Sequence, residues 1–233
     1  MRQFQLSVGE IATSGVFGQV HVRCAGEQPS ASGAPGQFYL ALADVSPRPF
    51  LRASLFPYPG PRGELTFSLH PAHPFASLQP GAWLDLVGPC GRGFALHPRA
   101  RNFLLVAESS ERLLPLAHFA LAGRRSVTLL LPSGGGNGIP MPSLPDLPPA
   151  VEIQRGLLTA DLAAWADLIA LDAPDPEARA REARVLCPTR PADFVQALVV
   201  PPMPCGTGAC RACWVELGER RQLACVDGPV FSL

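Results

Sequence analysis

Cys205-Gly206-Thr207-Gly208-Ala209-Cys210-Arg211-Ala212-Cys213, followed further on by Cys225, is the stretch on which the reading of this chain turns. Four of the seven cysteines fall here, spaced C-x4-C-x2-C-x11-C. The loop that carries the first three is glycine-bearing and has little apolar surface of its own to bury, so a bound centre is needed to hold it. A disulfide framework fits poorly, because Cys205, Cys210 and Cys213 are too close together for two unstrained bridges. Structural zinc is the second chemistry open to four thiols, although such sites usually pair two short knuckles well separated in sequence. C-x4-C-x2-C with a distant fourth cysteine is instead the plant-type [2Fe–2S] pattern. Gly206 and Gly208 permit positive φ and close backbone approach. Backbone N–H groups can then face thiolate and sulfide and offset their negative charge, and the small Ala209 and Ala212 leave room for the sulfides. The leading reading is a [2Fe–2S] cluster on Cys205, Cys210, Cys213 and Cys225, with zinc as the alternative.

The composition agrees with a folded protein that carries such a centre. The chain has 233 residues, 47% hydrophobic and 16% charged, enough for one large domain or two modest ones with an appendage. Its 19 basic and 19 acidic residues cancel, which argues against a nucleic-acid partner. Every basic residue is arginine, so Schiff-base chemistry and a P-loop lysine are excluded. The opening Met1-Arg-Gln-Phe-Gln-Leu-Ser-Val-Gly-Glu10 has no apolar h-region and does not read as a signal peptide. No apolar run approaches the roughly 20 residues that span a bilayer. An odd number of cysteines with a cluster among them suits metal ligation in a reducing compartment. A cytoplasmic location is therefore expected. High hydrophobicity with low charge implies either a generous core or a face buried on a partner subunit.

Working back from the cysteines, residues 1–96 read as all-β. Apolar runs at Gly15–Cys24, Gln37–Leu42, Phe50–Phe56, Glu64–Leu69 and Trp83–Val87 alternate with glycine and proline turns. Strands at this spacing without helices predict a small antiparallel barrel. From about residue 97 the pattern changes. Asn102–Ala107 is a continuous apolar run of the kind buried on both faces of a sheet. Ser109 or Ser110 is placed to cap a helix, with Glu111 in its first turn and Gly123 at its end, before a second buried strand at Ser126–Leu131. Residues 97–200 are thus expected to be a Rossmann-like α/β domain. Within it, Ser133–Pro149 reads as a linker, Asp161–Leu171 as a short helix, Arg184–Cys187 as a last strand and Ala192–Val200 as a short helix. Residues 201–233 form the cluster segment. His21, His97 and His118 are isolated, Cys24, Cys90 and Cys187 read as small buried hydrophobes, and Asp167 and Asp172 read as a helix's polar face.

Pro204-Cys-Gly-Thr-Gly-Ala-Cys-Arg-Ala-Cys213 and Cys225-Val-Asp-Gly-Pro-Val-Phe231 resemble the iron–sulfur end of the electron-transfer subunit of dihydroorotate dehydrogenase. This is an iron–sulfur flavoprotein of the ferredoxin-reductase superfamily. Pro35-Gly-Gln-Phe38, Gly63-Glu-Leu-Thr66, Pro80-Gly81 and Gly88-Pro-Cys-Gly-Arg-Gly-Phe94 extend the resemblance along the chain. It implies a flavin-reductase-type β-barrel, an NAD-binding-type α/β domain and a [2Fe–2S] segment. It also implies electron transport with a catalytic dehydrogenase subunit in pyrimidine biosynthesis.

The nucleotide motifs depart from that pattern. The strand expected to hold FAD reads Arg52-Ala53-Ser54-Leu55, which keeps Arg52 for the pyrophosphate but displaces the small polar residue to Ser54. The phosphate turn expected after Leu69 is replaced by His70-Pro-Ala-His-Pro74, whose prolines lack N–H donors. At the nicotinamide site, Val106-Ala-Glu-Ser-Ser-Glu-Arg112 puts Glu108 and Glu111 where glycine and phosphate would belong, and a later Cys-Gly-Pro turn is reduced to Cys187-Pro188-Thr189. Gly134-Gly-Gly-Asn-Gly138 precedes prolines instead of a helix and reads as linker. Two functions follow. One is an electron-transfer subunit relaying electrons between a partner dehydrogenase and FAD or another acceptor, without tight NAD(P)H binding. The other is a non-catalytic, partner-stabilising module with a structural zinc or cluster and no flavin.

Overall fold

A computed structural model describes residues 2–14, 19–26, 33–43, 51–59, 64–108, 110–133 and 147–233. The barrel is built from β1 (Arg2–Ser14), β2 (Gln19–Ala25), β3 (Phe38–Ala43), β4 (Ala53–Leu55), β5 (Pro57–Pro59), β6 (Leu65–Leu69) and β7 (Trp83–Cys90). These strands form one sheet in the order β4-β3-β7-β1-β2-β6-β5, every pair antiparallel. Inward-facing Leu6, Val22, Tyr39, Phe67, Leu84 and Leu86 fill it. β1 has no counterpart among the expected strands. Its sequence interrupts apolar residues with Gln, Ser, Gly and Glu, because one face is solvated, yet it is the longest strand and joins β2 to β7.

The α/β part contains β8 (Asn102–Ala107), α1 (Leu114–Ala122), β9 (Ser126–Leu131), β10 (Val151–Arg155), α2 (Ala160–Trp165), β11 (Leu168–Asp172), α3 (Pro176–Leu186) and β12 (Val195–Leu198). Its parallel strands run β10-β9-β8-β11-β12, so the direction of winding reverses between β8 and β11. The cluster segment adds a hairpin, β13 (Trp214–Leu217) with β14 (Arg220–Leu223), and then β15 (Val230–Ser232). β15 pairs antiparallel with β12, which stitches the cluster segment onto the edge of the α/β sheet.

Several local expectations are corrected. Leu168–Asp172 is a fully buried central strand, not the second half of a helix. Arg184–Cys187 ends α3 and its cap, and the helix expected over Ala192–Val200 is limited to one 3-10 turn at Ala192–Phe194, after which Val195–Leu198 is strand β12. Short apolar runs carry no period that separates strand from helix, and here the sheet decides. Ser110 does not cap α1, whose N-terminal flank has no side-chain cap; its hydroxyl instead donates to Asp172. Glu111 is not in the helix. It is buried at the junction of the two parts, 2.8 Å from His21 Nε2 on β2, and accepts from Ser68 Oγ at 3.2 Å. His21 is therefore not isolated. Asp167 accepts from the backbone N–H groups of Arg101 and Asn102. Cys24 and Cys90 are buried as expected, whereas Cys187 is half-buried. The Ser109 cap, Gly15–Gly18, Phe50, Gly60–Gly63 and the Gly134–Gly138 linker lie outside the described residues.

Candidate metal centre and adjoining cleft

The cysteine spacing acquires a structural reason in the hairpin. Cys213 enters β13 and Cys225 follows β14, so the intervening residues form a ribbon that returns the chain to its starting point. Trp214 pairs with Leu223, and the Ala224 N–H donates to the Cys213 carbonyl at 3.0 Å. The turn of this ribbon, Gly218-Glu219, has φ 59° at Gly218, as a two-residue hairpin loop requires. Cys213 Sγ and Cys225 Sγ consequently lie 3.3 Å apart, both buried.

Cys205 and Cys210 form the other pair, on the more open side of the loop. Burial opposes ionisation of Cys205. Hydrogen bonds from the Cys210 and Thr207 backbones, and from their side chains, outweigh it and bring the Cys205 thiol down to about 6. In the inner pair, burial and the neighbouring Cys213 push Cys225 up to about 12, although the Gly208 N–H donates to its sulfur at 3.2 Å. Among the described residues no three or more His, Cys, Asp or Glu side chains converge as on a single ion. The thiols are instead disposed as two pairs.

The loop's shape depends on its glycines and on the barrel beneath it. Gly206 has φ +66°, and a Cβ there would stand 2.8 Å from Leu40 Cδ1 on β3. Gly208 has φ +78°, and a Cβ would stand 3.0 Å from Val226 Cγ2. Paired thiols, one of them already favouring the thiolate, and N–H groups turned toward sulfur fit a cluster with two metal atoms. Cys205, Cys210, Cys213 and Cys225 are the residues that would hold it.

Immediately before Cys205, Pro201–Pro204 form one wall of a cleft of about 580 Å³. Its other walls include Arg52, Ser54, Ser68, His70, His73 and Arg112. The structure thus brings Arg52 and Ser54 to one cavity beside the cysteine loop. Arg52 is braced by β7, donating to the Asp85 carbonyl at 2.7 Å and to the Asp85 carboxylate. Leu55, next to Ser54, belongs to the barrel core. The place of Arg112 in this wall has no signal in the sequence. Its guanidinium lies 5.7 Å from the Phe56 ring centroid and forks onto Asp172 at 3.0 and 2.6 Å. Nothing local marks that pairing, since the partners are 60 residues apart in sequence.

The carboxyl ends of β8 and β11 flank the topological switch point, where open α/β sheets receive nucleotides. Here these ends carry charge already paired within the protein. Glu108, just past β8, accepts from Arg179, which also binds Glu182 at 2.8 Å. Asp172, which ends β11, is held by Arg112 and Ser110. The cavity beside Glu108 and Arg179 measures about 150 Å³. The turn that leads from a parallel strand into a helix is Asp172-Ala173-Pro174-Asp175, with Asp175 capping α3 through the Ala178 N–H. This corrects the assignment of that turn to Cys187-Pro188-Thr189, which follows a helix.

Barrel, parallel sheet and C-terminal cysteine segment together define a ferredoxin-reductase-like fold carrying an iron–sulfur domain. Residues 201–233 match the family described as the iron–sulfur cluster binding domain of dihydroorotate dehydrogenase B. The structure is similar to that of an NADH-dependent reduced ferredoxin-NADP oxidoreductase from work on flavin-based electron bifurcation. The TM-score is 0.72 at 19% identity, covering 97% of this chain and 87% of that one. It is also similar to phthalate dioxygenase reductase, with TM-score 0.59 and 14% identity over 87% of this chain and 70% of that one. A third likeness is to the ferredoxin reductase in carbazole 1,9a-dioxygenase, with TM-score 0.61 and 16% identity over 84% of this chain and 66% of that one. No curated protein matches the chain.

Proposed function

We propose that this chain is the electron-transfer subunit of a dehydrogenase complex, with a [2Fe–2S] cluster on Cys205, Cys210, Cys213 and Cys225 and a flavin in the adjoining cleft. When bound, the two groups supply one-electron transfer between a two-electron donor and a partner. The observation that carries the reading is the juxtaposition of cleft and cluster loop: Pro201–Pro204 line the first and lead directly into the second.

The protein's own residues then have definite tasks. Gly208 N–H donates to Cys225 sulfur, and the Thr207 and Cys210 backbones donate to Cys205, so negative charge on the sulfurs is met by fixed dipoles. Leu40 and Cys90 support the loop from the barrel side at Gly206. Arg52, held by Asp85, presents positive charge to an anionic ligand in the cleft, and Ser54 and Ser68 add hydroxyl groups. The exposed Cys210 marks the side of the loop open to a partner. The resemblance at residues 201–233 favours a flavin-dependent dehydrogenase subunit as that partner, acting on dihydroorotate. Among the described residues no helix is long and apolar enough to cross a membrane.

Anaerobic purification, with iron, acid-labile sulfide, zinc and flavin measured on one sample, tests this. The expected result is about two irons and two sulfides per chain, together with flavin. Zinc without sulfide would replace the reading by that of a structural module.

A further inference from the structure

We propose that Cys90 is a fifth thiol of the metal centre, placed to take over as ligand from Cys205 when that sulfur is lost. Cys90 ends β7, pairs with Phe38 on β3 and is only 4% exposed. It belongs to the same buried cluster as Cys213 and Cys225, and Cys205 packs against that cluster. Cys24, by contrast, lies in the barrel core, which holds no other cysteine among the described residues. The Cys90 sulfur sits beneath the cysteine loop. A Cβ on Gly206, the residue after Cys205, would stand 3.2 Å from Cys90 Sγ. Cys205 is also near enough for its charge to act on the Cys90 thiol.

The chain around Cys90 is bonded to the far end of the cysteine segment as well. The Arg92 N–H donates to the Gly228 carbonyl at 2.5 Å, and Arg92 pairs with Pro229 in a short parallel bridge. Gly91 packs there so closely that a Cβ would stand 2.6 Å from Pro229 Cδ. Cys90 is thus fixed against the residue after Cys205 by contact, and near the residues after Cys225 by backbone pairing. Its S–H is directed at the Val87 carbonyl, 3.6 Å away, so with all four loop thiols present it stands apart from them. Cys205 is half-buried in the outer pair, whereas Cys90 approaches the same loop from the barrel core. A centre short of one thiolate favours capture of another soft sulfur, and Gly206, with φ +66°, gives the loop freedom to adjust. That the metal is an iron–sulfur cluster rests on the function proposed above; the placement of the fifth thiol does not.

Iron, acid-labile sulfide and zinc, measured on the anaerobically purified full chain, test this in four variants. These are Cys205→Ala, Cys210→Ala and the doubles Cys205→Ala/Cys90→Val and Cys205→Ala/Cys90→Ala. Cys210 is exposed on the open side of the loop and serves as the comparison. Valine fills the space of the Cys90 side chain without sulfur and alanine leaves room, so a loss common to both doubles reports the thiol and not the packing. Cys205→Ala should keep about half or more of the metal of the unsubstituted protein, with its visible bands displaced by the changed ligation, while Cys210→Ala and both doubles fall to about a tenth or less. Equal metal in Cys205→Ala and Cys210→Ala, or metal kept by either double, would overturn the fifth thiol. Should the unsubstituted protein hold zinc and no sulfide, the cluster reading fails and the same comparisons on zinc decide the fifth thiol. An unsubstituted protein without metal overturns both.

Discussion

At the scale of single residues, the glycines of the cysteine loop are where substitution and cluster should be most tightly linked. Gly208 combines φ +78°, a neighbour at 3.0 Å from any added Cβ and an N–H directed at Cys225 sulfur. Alanine there meets a backbone penalty of about 1–2 kcal/mol and turns the N–H away. Gly208→Ala should retain less than about half of the iron of the unsubstituted protein, with the lost N–H···S bond showing as a lower reduction potential in what remains. Gly218→Ala is the control, because its φ of 59° is similar but a Cβ there meets nothing within 4 Å. Iron assay and a redox titration of the visible bands would check both; equal iron in the two variants would sink the argument. The four cysteines proposed as ligands and these glycines stand out in sequence because the C-x4-C-x2-C pattern is a local spacing. Arg112 with Asp172, and Glu111 with His21, are not legible. Each partnership spans 60 residues or more and exists only once the sheets have formed.

Elements are legible where a continuous apolar run is bounded by polar or turn residues, and obscure where context decides. β8 and β9 match their expected limits, since continuous apolar runs flanked by polar residues admit few alternatives. β11 reads as helix because Leu-Ile-Ala-Leu-Asp has strong helix formers and no turn before it, yet its neighbours β8 and β12 make it a strand. The loop from β8 to α1 shows how a residue that reads as part of a helix's first turn gains a different role. It carries Glu111, only 2% exposed, across to His21 on β2 and Ser68 on β6, and so fastens the α/β part to the barrel. Glu111→Ala leaves the buried His21 and the half-buried Ser68 without this acceptor and should cost about 1–3 kcal/mol. Glu111→Gln, which keeps the shape and one oxygen acceptor, should cost less. Denaturant unfolding measures the difference; an alanine variant as stable as the parent would remove the junction's assigned role.

On the scale of the whole molecule, the fold provides a crevice at its topological switch point while the residues there pair with one another. The strand order places β8 beside β11, and a pyrophosphate at their carboxyl ends would meet Glu108 and Asp172. Arg179 and Arg112 neutralise these carboxylates, so admitting a dinucleotide means either breaking two ion pairs or setting like charges together. Each carboxylate near a phosphate costs on the order of 1 kcal/mol even when partly screened. A helix N-terminus could have offset this at the first strand, but α1 begins only at Leu114, six residues beyond Glu108. NADH should therefore bind the full chain more weakly than about 100 μM, and FAD held in the other cleft should not be reduced rapidly by micromolar NADH. Glu108→Gly alone should not restore affinity, because Asp172 and Arg112 still occupy the opposite lip. Equilibrium titration with NADH is the check. Micromolar affinity in the unsubstituted protein would mean that the ion pairs open on binding, and the crevice would have to be counted as a working nucleotide site.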